Sequence, residues 1–141
     1  FALPAAIGAK FGAPDRQIIA VIGDGGFQMT IQELGTIYQS GVDVKILILN
    51  NEFLGMVRQW QEMFFDRRYS FTEMINPDFQ TIAKAYHIPS HKVEEREELD
   101  AALDVFLNSD GSFLLEVMVG KENNVFPMVP SGASVSEIRL R

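Results

Sequence analysis

Gln17-Ile18-Ile19-Ala20-Val21-Ile22-Gly23-Asp24-Gly25-Gly26 is a short apolar, largely β-branched run that ends on a carboxylate set among glycines. A second run, Val44-Lys45-Ile46-Leu47-Ile48-Leu49, ends on Asn50-Asn51. Runs of this length and composition predict buried strands. Each strand then delivers an oxygen-bearing side chain at its carboxyl end, the edge of an open parallel sheet where ligands bind. A carboxylate and a carboxamide oxygen are hard donors suited to Mg²⁺, and the glycines let backbone N–H groups approach an anion closely. The pattern asks for a magnesium ion carrying a diphosphate. Taken singly, Gly-Asp-Gly and Asn-Asn are ordinary turn sequences. Their placement after two strands separated by a helix is what points to a site. Asn123-Asn124 also follows an apolar run, but far along the chain and behind the charged Lys121-Glu122, and reads as a loop.

Outward from these strands, helix-like and strand-like segments alternate. Ala2–Phe11 predicts a small-residue helix and Gln17–Ile22 a strand. Met29–Ser40 has helical spacing at Ile31, Leu34, Ile37 and Tyr38, with Gly41 where a C-terminal cap sits. That helix, starting near Gln28, directs its free N–H groups at Gly25 and Gly26 and favours a phosphate there. Val44–Leu49 is strand. Phe53–Arg68 is expected to be helical around Met56–Phe64, and Pro77-Asp78 opens a helix over Phe79–Tyr86. Lys92-Val93 is a short strand, Glu97–Asn108 a helix, and Ser112–Val119 a final strand. Residues 120–141, punctuated by Pro and Gly, read as a C-terminal tail. The alternation implies a three-layer α/β/α domain with a mostly parallel sheet, one domain over residues 1–141.

Composition narrows the class. With 141 residues, 47% of them apolar and 22% charged, the chain is long enough for a single core. Its net charge of −7 argues against nucleic acid or an anionic membrane as a general partner, and no apolar run reaches the roughly 18 residues of a membrane span. The absence of cysteine removes disulfides, thiolate metal sites and cysteine nucleophiles. The small apolar start, Phe1 to Lys10, has no basic segment ahead of it and makes a poor secretory signal. It reads as the interior of a helix in a larger protein, and the expected compartment is the cytoplasm.

The Gly-Asp-Gly…Asn-Asn pattern resembles the pyrophosphate domain of thiamine-diphosphate enzymes. The stretch from Asn50 to Gln61 (NNEFLGMVRQWQ), with Arg68-Tyr69-Ser70 and Asn76-Pro77-Asp78-Phe79, is similar to the large, catalytic subunit of acetolactate synthase. The start, Phe1 to Ala9, and the end, Pro127 to Ala133, look like that family too.

The resemblance implies a set of roles by position. Asp24 and the Asn51 side chain match metal ligands, with the main-chain oxygen of Phe53 as a third. Gly25 and Gly26 match the diphosphate-binding backbone, Met29 and Met56 match positions that line the thiamine pyrimidine or the reaction pocket, and Gly23, Leu54 and Gly55 count among the cofactor-binding positions. Met56, Val57 and Trp60 match a substrate channel, Trp60 favouring 2-ketobutyrate beside pyruvate. The implied cofactors are thiamine diphosphate and Mg²⁺, with FAD in the full-length enzyme. The implied assembly is a homo-oligomer, dimer or tetramer, with a regulatory small subunit as a possible partner. In the family the protein binds and orients while the cofactor decarboxylates a 2-keto acid and joins the remainder to a second one. The glutamate that activates the cofactor lies in another domain, so Glu33, Glu52 and Glu62 do not take that role and the isolated chain is expected to be inactive.

Read from the residues alone, several of these positions have blander meanings. Trp60 with Phe64, Phe65 and Tyr69 also reads as a helix face buried in a core, and Met29 and Met56 as gap-filling core residues. Arg67-Arg68 reads as a solvated or subunit-facing pair. His87 and His91 lack a partner at ligand spacing and read as structural. Another thiamine-dependent carboligase, a pyruvate oxidase, or a non-catalytic binding module are the competing functions.

Overall fold

The computed structural model of the chain describes residues 1–121 and 123–140. Glu122 and Arg141, both within the expected tail, lie outside the described residues. The elements run α1 (Ala2–Gly12), β1 (Ile19–Gly23), α2 (Asp24–Gln28), α3 (Leu34–Ser40), β2 (Lys45–Asn50), α4 (Gly55–Phe64), α5 (Phe79–Ala85), β3 (Ser90–Val93), α6 (Leu99–Asn108) and β4 (Phe113–Met118). Single 3₁₀ turns at Ile31–Glu33, Arg96–Glu98 and Val135–Glu137 complete them. The four strands form one sheet, ordered β1-β2-β4-β3 and parallel throughout.

Side-chain alternation along the strands sorts the core into two layers. Ala20, Ile22, Ile46, Ile48 and Leu114 point to one face, where Leu3 and Ile7 of α1, Phe27 of α2, Leu34 and Ile37 of α3, and Phe79 and Ala83 of α5 pack on them. Leu115, Val117, Phe113 and Val93 point to the other, against Ala102 and Phe106 of α6. The α/β/α expectation holds, with α6 making the third layer among the described residues. It covers the β3-β4 side, and Ile19 and Val21 of β1 stay 42% and 56% exposed on that face.

The helix expected over Met29–Ser40 begins late, as the 3₁₀ turn Ile31–Glu33 running into α3, and a separate short helix, α2, precedes it. The chain turns helical at Asp24 itself, with Gly23 extended just before it (φ −73°, ψ 156°). Two glycines are poor helix formers, but Phe27 is fully buried edge-on to Phe79, ring centroids 5.3 Å apart. Such a pair contributes about 0.5–1.5 kcal/mol beyond its area and holds the short helix down. Thr30 then leaves helical geometry (φ −134°) before α3 begins. Gly41 ends α3 in the left-handed conformation (φ 66°), as its position predicts. Helix α4 covers the expected Met56–Phe64 and stops at Phe64, where Asp66 and Arg67 adopt positive φ just beyond it.

The segment after β4 folds back onto α4. Gln59 of α4, a buried residue, donates from Nε2 to the Val125 carbonyl (3.0 Å) and accepts from the Val125 N–H (2.9 Å). Met128 and Arg139 form an antiparallel bridge, and the Arg139 guanidinium lies 5.1 Å from the centre of the Phe64 ring. No helix among the described residues is long and apolar enough to cross a membrane.

At the base of the sheet, buried Lys45 donates to the Ser109 and Gly111 carbonyls and to Ser109 Oγ, which ties β2 to the α6–β4 turn. Burial lowers its pKa, and the nearby Asp43 and Asp110 carboxylates oppose that shift. Asp78 caps α5 as expected, accepting from Thr81 N (3.0 Å) and Thr81 Oγ1 (2.6 Å). Those bonds favour the ionised form and hold its pKa below the usual carboxylate range. The cap therefore stabilises the fold fully above that range and loses its contribution as the pH falls through the depressed pKa. Asp78→Ala is expected to lower the melting temperature at neutral pH, and the two melting curves should converge on acidification. Thermal unfolding followed by circular dichroism across pH checks this.

Candidate functional site

Parallel pairing of β1 with β2 sets Gly23 beside Leu49, so the next residues of both strands emerge at the same sheet edge. A cavity of about 340 Å³ opens there, lined by Gly23, Asp24, Gly25, Gly26, Leu49, Asn51, Phe53, Leu54, Gly55, Met56, Val57 and Val119. The structure thus gathers ten of the residues singled out from the sequence around one space. Met29 and Trp60 are not among its walls. Met29 stands 70% exposed beyond the end of α2. Trp60 is half-buried and packs on Phe64 within α4, ring centroids 5.3 Å apart.

Asp24 is 1% exposed. Its carboxylate has no Lys or Arg partner among the described residues, and Oδ2 accepts a hydrogen bond from Asn76 Nδ2 at 2.7 Å. A buried anion without a counter-charge is expensive. Asn51 Oδ1 accepts from the Phe53 N–H (3.1 Å), an Asx turn that still leaves the oxygen a second lone pair. One carboxylate, one carboxamide and a neighbouring main-chain carbonyl make the oxygen donor set of a hard divalent ion that takes its other ligands from phosphate or water. The residues fit a Mg²⁺–diphosphate group by chemistry.

The short helix α2 contributes the backbone N–H groups of its first turn, and α4 begins at Gly55 on the opposite wall. The loop between Asn51 and α4 is clamped. Leu54 N donates to the Thr72 carbonyl (2.8 Å), Met74 N donates to the Glu52 carbonyl (2.8 Å), and Phe53 bridges Glu73 antiparallel. The Phe53 ring lies 5.0 Å from the Arg58 guanidinium and 5.6 Å from the Lys121 ammonium, and Lys121 pairs with Glu52 at 2.7 Å. Cations over an aromatic face hold the ring, and with it the Phe53 backbone.

The sequence reading missed Asn76, Arg58 and the segment 72–74. Arg58 and Asn76 both lie within stretches that carry the family resemblance, but neither was given a role at the site. What brings Asn76 to Asp24 is the return of the chain after α4, which no local spacing encodes. His87 and His91 lie away from the cavity, His87 stacking on Tyr38 with centroids 5.3 Å apart, in keeping with a structural role.

Residues 1–117 match the family model described as "Thiamine pyrophosphate enzyme, C-terminal TPP binding domain". The chain belongs to this family. Among curated proteins it is similar to the large subunit of acetolactate synthase isozyme 2 of Escherichia coli K12, with 47% identity over 98% of this chain and 25% of that protein. The mitochondrial acetolactate synthase catalytic subunit of Saccharomyces cerevisiae is 47% identical over 97% of this chain and 20% of its own length. The acetolactate synthase large subunit of Lactococcus lactis is 42% identical over 98% of this chain and 24% of its own length. The chain spans about a fifth to a quarter of the length of these relatives. It carries the parallel α/β sheet expected of that family.

Gly25 is where this edge is tightest. A Cβ built there falls 2.8 Å from Leu54 Cδ2 and 2.9 Å from Met74 Sδ. Gly25→Val is expected to push both side chains aside and to destabilise the domain by roughly 1–3 kcal/mol. A lower urea midpoint at an unchanged m-value is the outcome to look for.

Proposed function

We propose that the chain is the diphosphate-binding domain of an acetolactate synthase catalytic subunit, and that Asp24, the Asn51 side chain and the Phe53 carbonyl hold the Mg²⁺ that anchors thiamine diphosphate. The observation that carries this reading is the buried Asp24 carboxylate, without a Lys or Arg partner among the described residues, lining the same cavity as Asn51. A divalent ion supplies the missing charge.

The chain's own residues divide the work. The backbone at Gly23, Gly25 and Gly26 approaches the diphosphate, and Leu54, Gly55 and Met56 wall the space toward the thiamine rings. Met56 and Val57, both about half exposed, face outward from α4 toward the substrate side, with Trp60 one turn further on. Met29 stays in the proposal as a contact made toward another part of the assembled enzyme. When bound, the cofactor supplies the nucleophilic carbon and the electron sink for decarboxylating one 2-keto acid and joining its remainder to another.

The substrates of the assembled enzyme are pyruvate and a second 2-keto acid such as 2-ketobutyrate. It acts as a cytoplasmic homo-oligomer that also carries FAD, with a regulatory subunit as a further partner. Among the described residues, Glu33, Glu52 and Glu62 are engaged elsewhere. Glu52 pairs with Lys121, Glu62 with Arg58, and Glu33 accepts from Thr36.

Calorimetric titration with thiamine diphosphate tests the reading. Binding by the natural polypeptide that carries this domain should require Mg²⁺ and disappear in Asp24→Ala, while the 141 residues alone should form no acetolactate from pyruvate. Binding that ignores Mg²⁺, or survives in Asp24→Ala, would contradict it.

A further inference from the structure

We propose that Glu116 is a positioning residue for Asp24, acting through Asn50 and Asn76 by fixing which end of each carboxamide faces the next. The inference rests on the reading that Asp24 holds the divalent ion.

Glu116 lies in the middle of β4, an otherwise apolar strand in the interior of the sheet, and is 3% exposed. Such a position favours a hydrophobic residue unless the carboxylate is fully engaged. Here both oxygens are taken. Oε1 accepts from Asn50 Nδ2 at 2.6 Å, and Oε2 accepts from Gln80 Nε2 at 2.8 Å. Asn50 in turn uses its Oδ1 to accept from the Glu52 N–H (3.0 Å) and from Asn76 Nδ2 (3.0 Å). The same Asn76 nitrogen gives its second hydrogen to Asp24 Oδ2 at 2.7 Å, and Asn76 Oδ1 accepts from Gln28 Nε2 at 2.7 Å.

The chain of bonds has a carboxylate at each end, and an ionised carboxylate only accepts. Glu116 therefore obliges Asn50 to turn its NH₂ inward. That leaves the Asn50 oxygen facing Asn76, which obliges Asn76 to present its own NH₂. Asp24 then meets a donor. With either amide reversed, two donors or two acceptors face each other in a buried space, and an oxygen of Asn76 would confront the Asp24 carboxylate. One pattern satisfies every partner, and it pins Asp24 by Oδ2, leaving Oδ1 without a hydrogen bond among the described residues. The relay runs outside the cavity proposed for the cofactor. Asn50, Asn76, Gln80 and Glu116 line a separate space of about 580 Å³ that also contains Lys92.

A network that merely holds β4, α2 and the return loop together would show in stability alone. Positioning shows in metal affinity, so the test measures both, in the natural polypeptide with thiamine diphosphate present. Mg²⁺ is titrated by calorimetry, and melting temperatures are recorded alongside. Glu116→Met is expected to weaken Mg²⁺ binding about tenfold, the scale on which groups that orient metal ligands act. Glu116→Gln should stay within about twofold of wild type, because half-buried Gln80 is able to turn its amide and accept from the new NH₂, leaving the new carbonyl oxygen for Asn50. Asn76→Ala should weaken Mg²⁺ binding as much as Glu116→Met does. Combining the two should add less than about twofold, since both cut one relay. If Glu116→Met does not fold, Glu116→Asp, which keeps the charge but withdraws it by a methylene, takes its place with the same expected pattern. A folded variant that melts lower yet binds Mg²⁺ like wild type overturns the inference, as do additive losses in the double variant. A wild-type protein that binds no Mg²⁺ overturns the functional reading itself, and this inference with it.

Discussion

The parallel pairing of β1 with β2 is the constraint on which the molecule depends. Strand register places Gly23 opposite Leu49, so the two chains leave the sheet side by side and carry Asp24 and Asn51 to one edge. Everything that holds the register also holds the site. Ile22, Ile46 and Ile48 bury their side chains under α1, α2 and α3. A slip of one residue would turn these apolar positions to the opposite face and shift the carboxylate along the edge relative to the carboxamide. The hydrophobic core and the polar edge are therefore two consequences of one alignment.

At that edge, the buried Asp24 carboxylate meets the Asn76 amide rather than a Lys or Arg among the described residues. Asn76 is brought to Asp24 by a long return of the chain after α4. That return is tied down by its pairing with the loop at Glu52–Leu54. Arg58 spends its charge on aromatic rings, at 5.0 Å from Phe53 and 4.6 Å from Tyr69, and on a carboxylate of its own helix. The positive groups nearby thus brace the walls, and none of them pairs with Asp24 among the described residues.

Much of this architecture was legible in the residues. The two apolar runs located β1 and β2 to within two residues, and Gly41 and Asp78 marked helix ends by chemistry that operates locally: a left-handed cap and a carboxylate over free N–H groups. The start of α2 was not legible, because helix formation at Asp24-Gly25-Gly26 runs against intrinsic propensity and is imposed by the burial of Phe27 against Phe79, distant in sequence. Nor was the relay from Glu116 legible in its partners. A lone acidic residue within Phe113-Leu114-Leu115-Glu116-Val117 signals that something must satisfy it, but only the fold says that the something is Asn50 and Gln80. The reciprocal clamp of Gln59 on Val125 escaped for the same reason, and with it the return of the last segment to α4.

The most direct measurement is the anomalous diffraction of Mn²⁺ in crystals of the polypeptide grown with thiamine diphosphate and Mn²⁺ in place of Mg²⁺. A single anomalous peak within coordination distance of both the Asp24 carboxylate and the Asn51 amide oxygen is the predicted result. A peak bound to one without the other, or manganese found only elsewhere on the molecule, would contradict it.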